Sequence, residues 1–298
     1  MAKLICFIKS FLAKFFVIKR PRMSKVLIVL FFIIFILENI LLGYFLFDFF
    51  NPVFKDEDLV QETSYVAVVD IFGGISTYAL ETDEIIDEIS SDEIIELLSI
   101  ARDDESIKAV ILRIDSIGGD PVAAEEVSSF VKDFPKPIVS VIRSNGLSAG
   151  YYIASAADKI FASPNSSIGS IGVTSSYVDN YEANLKEGYR YNNLSWGKFK
   201  DMGDPDKRLT EEERFLIMNN LKVLYGNFIK TVAENRGLSI EKVVELADGA
   251  DMPAPNALVN GLIDELGGMK EAEAYLKKQI GHRFETIKLT NEKNECAE

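Results

Sequence analysis

Unbroken apolar runs that alternate with helix-patterned segments constrain this chain more than any other feature. SYVAVVDIF, IKAVILRID, PIVSVIRS and KIFASP are built on runs of successive apolar residues, so each reads as a strand whose two faces must both be covered. Between them, DEIIELLSIARDD and DPVAAEEVSSFVKDF carry apolar residues at helical spacing, the second with Pro121 in its first turn. This β-α-β-α rhythm predicts an α/β fold with a mostly parallel sheet under helices. Past residue 170 the pattern loosens. YRYNNLSWGKFKD reads as extended, and the longest helix is predicted from a Thr210 cap to Gly237. Ser239 to Gly249 repeats the cap-and-glycine logic, NALVNGLIDELGG and KEAEAYLKKQI add helices, and ETIKLTNEKNECAE reads as an edge strand followed by a tail. No repeat of 20 to 50 residues is visible, which excludes a solenoid.

Ahead of this domain lies a different composition. Residues 1–25 contain Lys3, Lys9, Lys14, Lys19, Arg20, Arg22 and Lys25 and no acid. VLIVLFFIIFILENILLGYFLF, residues 26–47, is long enough to cross a bilayer at about 1.5 Å per residue. The expected organisation is a basic cytoplasmic segment 1–25, a transmembrane helix 26–47, a linker 48–62, a soluble domain 63–281 and a tail 282–298. The run exceeds a signal peptide's apolar core and has no small-residue cleavage site behind it, so it reads as uncleaved. Its basic flank places the N-terminus in the cytoplasm and the domain outside, on the periplasmic or extracytoplasmic side. KLICFIKSFLAKFFVIK reads either as an amphipathic helix on the inner leaflet or as a basic tail. Glu38 and Asn39 sit near the middle of the span. A charge there costs at least about 2.5 kcal/mol, which calls for protonation, pairing within an oligomer or a shifted span.

The net charge of −14 conceals an asymmetry, because beyond residue 25 only 25 of the 32 basic residues remain to face all 46 acids. Such a surface repels phosphate backbones, which argues against nucleic acid as a partner and favours a basic peptide. The two cysteines, Cys6 and Cys296, lie at opposite ends and form neither a disulfide framework nor a metal site. The sole histidine, His282, has no ligand motif near it, which argues against a zinc enzyme and against a Ser-His-Asp triad.

Two glycine-containing turns follow adjacent strands: LRIDSIGGDP, with Gly118 and Gly119, and NGLSAGYY, with Ser148. Ser148 stands between a strand and a small-residue helix, where it reads either as a helix cap or as an exposed nucleophile. Unshielded glycine amides suit a tight turn, or an oxyanion hole whose loss typically costs about 3 kcal/mol of transition-state stabilisation. Without histidine, the base for such a serine would be a lysine brought towards neutrality. WGKFKD offers Lys198 and Lys200, which an extended chain would point to the same face, so alternation does not choose between them.

LRIDSIGGD, SNGLSAGYYIASAADKIFASPNSSIGSIGV and WGKFKD, in this order and before a long acidic-starting helix, resemble the signal peptide peptidase A family in its short, single-repeat form. The resemblance covers about residues 66–276 and the N-terminal anchor. It implies the spiral of ββα units shared with the Clp protease subunit and the crotonases. It implies a Ser-Lys dyad serine endopeptidase without metal or cofactor, in which Ser148 is the nucleophile and Lys200, just before Asp201, the general base. Ser170 in IGSIGV then orients the lysine, and the amides of Gly119 and Ala149 form the oxyanion hole. Ile117 stands where the family has proline and Ala149 where it has glycine; both positions act through the backbone. Implied partners are the membrane, extended hydrophobic peptides such as remnant signal peptides, and further copies in a homo-oligomer, expected as an octamer with dyads shared between subunits. The competing readings are a related membrane-bound protease that cuts one particular membrane protein, such as a stomatin-like partner, and an inactive peptide-binding scaffold. A CoA-binding crotonase is more remote, given the acidic charge and outward topology.

Overall fold

The computed structural model describes residues 25–55, 64–78 and 88–290; in the first stretch, side chains are described for residues 30, 31 and 33–47. The chain divides into two units, Met1–Gln61 and Glu62–Glu298. The expectations for residues 1–24, for the latter part of the linker, and for Cys6 and Cys296 lie outside the described residues.

In the first unit, helix α1 spans Lys25–Lys55, starting where the apolar run begins and continuing through Pro52 into the expected linker. The large apolar side chains described between Leu30 and Phe47 are all exposed. Asn39 returns its amide to the Phe35 carbonyl one turn back, at 2.6 Å, and so satisfies one polar group within the helix. Counted over the described residues alone, no helix is long and apolar enough to cross a membrane.

The second unit is built on a nine-stranded sheet with the order β2-β1-β3-β4-β5-β8. The strands are β1 (Tyr65–Ser76), β2 (Glu88–Ser90), β3 (Ile107–Gly119), β4 (Ile138–Leu147), β5 (Lys159–Ala162), β6 (Ser167–Gly169), β7 (Asp251–Pro253), β8 (Glu265–Leu266) and β9 (Glu285–Lys288). Among the described residues, all pairings are parallel except β6 with β7. β1 and β4 each change partner along their length: β1 pairs β9 through Tyr65–Val68 and β2 through Gly74–Ser76. β4 pairs β5 through Val139–Ile142 and β6 through Asn145–Leu147. The sheet therefore forks at the carboxyl ends of its central strands. The predicted edge strand in the tail is β9, and the sole histidine, His282, hydrogen-bonds the Ser64 hydroxyl at 2.8 Å beside the start of β1.

Helices α2 (Ser91–Asp103), α3 (Pro121–Lys132) and α4 (Ala149–Ser155) contribute to a core with Val69, Ile71, Val110 and Leu112. The opposite faces of the same strands, through Val66, Val68, Ala109, Ile111, Val139 and Val141, pack on Ala272 and Leu276 of α9 (Met269–Ile280). Two covered faces are the physical reason for the unbroken apolar runs. The remaining helices are α5 (Tyr181–Glu187), α6 (Glu211–Arg236), α7 (Ile240–Leu246) and α8 (Ala254–Val259). α6 opens on a Thr210–Glu213 capping box and closes on Gly237 in the left-handed region, as its sequence predicts.

Two parts of the prediction fail. In NALVNGLIDELGG the helix stops at Val259, and Glu265–Leu266 instead pairs β5 as strand β8. WGKFKD is not extended but a chain of turns, with Lys200, Met202 and Asp204 each donating its amide to the carbonyl three residues back. Gly197 and Gly203 adopt positive φ, which bends the chain away from any strand it could pair with, so strand alternation has no bearing on Lys198 and Lys200.

Asp70 on β1 and Arg113 on β3 form a two-pronged pair, both bonds 2.6 Å, and Lys288 of β9 adds a contact at 3.0 Å. Burial pushes the Asp70 carboxyl up, but the Arg113 and Lys288 bonds together outweigh it and hold it below the usual value of 3.8. A depressed folded value contributes stability that is complete above the unfolded value and is lost as pH falls through the folded one. Asp70→Asn is therefore expected to cost about 1 kcal/mol near neutrality. In urea melts over a pH series, its deficit relative to wild type shrinks only below about pH 4. A deficit that is constant down to pH 2 would remove the pair from the account.

Candidate active site

Three parallel strands end together. Leu147 of β4 pairs Gly169 of β6, and Ser116 of β3 pairs Gly146 of β4. One residue beyond the Leu147–Gly169 couple stand Ser148 and Ser170, the two non-glycine residues with positive φ among the described residues, at 48° and 49°. The Ser148 amide donates to the Gly169 carbonyl at 2.8 Å, and the Ser148 carbonyl accepts from the Tyr152 amide at 2.9 Å. Ser148 occupies the N-cap position, but with ψ at −119° its side chain makes no hydrogen bond to the helix behind it and does not cap it. The hydroxyl sits on a strained strand-to-helix elbow, the conformation that thrusts a side chain out of a parallel sheet.

The elbow is held from below by α4, whose seven residues are all buried. Small residues let the helix sit close to the sheet: a Cβ on Gly150 would lie 3.0 Å from the Ser116 side chain. Its two tyrosines find polar partners, Tyr151 donating to the Leu262 carbonyl and Tyr152 meeting Thr231 of α6, both at 2.8 Å.

The twin glycines have separate duties. Gly118, at φ +122°, backs onto the serine; a Cβ there would lie 2.8 Å from Ser148 Cβ and 3.5 Å from the Ala149 nitrogen. A Cβ on Gly119 would strike the Ile75 carbonyl at 1.9 Å, so Gly119 is required by its approach to β1. β3 runs through both glycines, and the turn into α3 follows at Asp120, whose carboxylate accepts from the Val122 and Ala123 amides. Sequence reading missed Ser116 beside them. Its buried hydroxyl donates to the Gly73 carbonyl at 2.6 Å and accepts from the Gly118 amide at 3.1 Å. Asp115 likewise accepts from the backbone and side chain of Asn145, at 3.0 and 3.2 Å, tying β3 to the approach to Ser148. The only sequence sign of either was a polar pair closing an apolar strand.

The structure thus brings Gly118, Ser148, Ala149 and Ser170 together. It does not bring Lys200 to them: no hydrogen bond joins Lys200 to Ser148 or Ser170, and the Ser170 hydroxyl donates to the Gly249 carbonyl at 3.1 Å. Lys200 lies exposed on the turns before α6. Three lysines cluster in this region, and two are occupied by consecutive acids of α6. Lys198 pairs Glu212 at 2.6 Å, and Lys207 pairs Glu213. Lys200 has no acidic partner among the described residues. A lysine locked to a carboxylate is a poor proton acceptor, and that pairing separates Lys198 from Lys200 where alternation did not.

This geometry predicts that Ser148→Ala loses none of the roughly 1 kcal/mol that a true cap would contribute. Ser148→Gly, relieved of the strained φ, is expected to unfold about 1 kcal/mol later than Ser148→Ala in denaturant titration. Equal stabilities for the two variants would contradict the strained elbow.

Among known proteins, the model of peptidase family S49 matches residues 131–283, a span that includes Ser148, Ser170 and Lys200 and begins after the twin glycines. A protein of Methanocaldococcus jannaschii assigned as a protease is 34% identical over 180 residues, 60% of this chain and 58% of that protein. Protease 4 of Haemophilus influenzae is 30% identical over 224 residues, 74% of this chain and 36% of that one. The chain spans about half the length of the curated relatives it matches. Among solved structures, a mutant of a membrane-bound stomatin-specific protease in complex with a substrate peptide superposes with a TM-score of 0.52 at 18% identity. That superposition covers 78% of this chain and 94% of the other, a likeness of fold.

Proposed function

Because the chain belongs to peptidase family S49, we propose that it is a serine endopeptidase in which Ser148 attacks and Lys200 is the general base. The observation that carries this reading is the Ser148 elbow: a hydroxyl with no structural hydrogen bond to the helix behind it, backed by a glycine with positive φ. Lys200, neutral, takes the Ser148 proton as Oγ attacks a peptide carbonyl, and the Gly119 and Ala149 amides hold the tetrahedral oxyanion. Lysine then returns the proton to the leaving amine. Water, deprotonated by the same lysine, releases the acyl group and regenerates the serine. Ser170 helps to orient the lysine.

The exposed position of Lys200 supports assembly, with the lysine of one copy meeting the serine of the next, in a ring for which eight copies are our expectation. Leu194 and Trp196 are fully exposed, and Phe215 and Met218 of α6 also face outward, an apolar surface close in sequence to the base that a neighbouring copy would cover. Helix α1 and its basic flank support a single-pass anchor, N-terminus in the cytoplasm. A site outside the membrane on an anchored, acidic domain suits extended apolar peptides with basic ends, and signal peptides left after preprotein processing have that chemistry.

The test is hydrolysis of an apolar fluorogenic peptide by the full-length chain in detergent. Ser148→Ala and Lys200→Ala are expected to fall to background, while Lys198→Ala keeps most of the rate. Mixing the two inactive variants and allowing subunits to exchange restores part of the activity if dyads are shared. Full activity in Ser148→Ala would overturn the peptidase reading. Mixed samples that stay inactive despite proven exchange would confine the dyad to one chain.

A further inference from the structure

The turns that carry Lys200 are organised around a different lysine. Lys207 lies largely buried between two carboxylates, pairing Glu213 in the first turn of α6 and Asp201 at 3.3 Å. Asp201 is the residue immediately after Lys200. Its carboxylate also accepts from the Asn193 amide at 2.7 Å and from the Tyr191 hydroxyl at 3.4 Å, and it forms no ion pair with Lys200. Glu213 is only 3% exposed and closes the capping box of α6 with Thr210. These bonds hold the Glu213 carboxyl below its usual range, the Lys207 pairing first among the causes, and raise the Lys207 ammonium, again chiefly through Glu213.

We propose that Lys207 is a positioning residue for the Lys200 base. It occupies Asp201 and Glu213, the acids that would otherwise capture Lys200, and it fixes the Lys200 turn to the start of α6. The inference rests on the reading of Lys200 as general base. Four other acids nearby are already engaged, which leaves only Glu211 in the first turn of α6 without a partner among the described residues. Glu212 holds Lys198, Glu182 pairs Arg208, Asp206 accepts from Asn184, and Asp204 accepts the Asp206 amide of its own loop. Asp201 is therefore the acid placed to respond when Lys207 is removed. Freed of its ammonium partner, it can turn onto Lys200 and stabilise the protonated form, which cannot accept the Ser148 proton.

The experiment is the pH profile of kcat/KM for the full-length chain, with thermal melting of every variant. Lys200→Ala is measured first, and its loss of activity secures the base. In Lys207→Met the acid limb of kcat/KM is then expected to move up by about one pH unit, with an activity loss of about tenfold at neutral pH that alkaline pH recovers. Lys207→Arg keeps the wild-type limb. In the double variant Lys207→Met with Asp201→Asn, the limb returns towards wild type, an outcome that a purely structural role for Lys207 would not produce. Should Lys207→Met alone unfold, the comparison is made in an Asp201→Asn, Glu213→Gln background, which removes both uncompensated acids. There, Met and Lys at position 207 are expected to give the same limb. If Lys200→Ala is inactive but the limb stays in place in Lys207→Met, the positioning role falls while the dyad stands. If Lys200→Ala is active, the dyad falls and the positioning role falls with it.

Discussion

The backbone of Ser148 is the constraint on which the rest of the site depends. A serine at φ 48° and ψ −119° is strained, and it persists only where its neighbours leave no alternative. The ladder pairing Leu147 with Gly169 fixes the residue before it, and the buried helix α4 fixes the residues after it. The Ser148 amide is drawn to Gly169, so the strain is spread over two strand ends rather than one loop. Gly118 has no Cβ because the serine occupies that space, and Gly119 has none because β1 does. Ser116 and Asp115, one after the other at the end of β3, lock the glycines and the Asn145 approach from beneath.

The second half of the site obeys a different rule. The turns of residues 197–204 have no sheet to hold them and are ordered by charge, with acids of α6 and of the turns each taking a lysine. α6 itself buries Glu213 at its start and Phe228, Ile229, Val232 and Ala233 near its end. The stretch between is mostly exposed and is tied down at Tyr225, which packs on the core and donates its hydroxyl to the Ala247 carbonyl at 2.7 Å.

Much of this was legible in the residues. The apolar runs implied strands covered on both faces, and each was found. Thr210, Ser239 and Gly237 marked helix ends because capping is decided within a few residues. Gly118 and Ser148 drew notice because glycine and serine at strand ends are unusual enough to need a reason. WGKFKD misled because lysine and phenylalanine alternate there as they would on a strand, while the positive φ of Gly197 and Gly203 is a property of the folded chain. Ser116 escaped because a serine closing a strand looks ordinary until its two hydrogen bonds are seen.

The sequence by itself therefore determined the local facts: where strands and helices lie, which helix ends are capped, that a serine stands at a strand-to-helix turn, and that no histidine is available beside it. Local chemistry decides these, and local chemistry is written in neighbouring residues. The tertiary structure decided that the Ser148 side chain makes no hydrogen bond to the helix behind it, that strand ends from β3, β4 and β6 converge there, and that, among the described residues, Lys198 is paired with an acid while Lys200 is not. Each of these depends on residues far apart in the chain meeting in space, and a backbone angle or an ion pair across 14 positions leaves no periodic trace in the sequence.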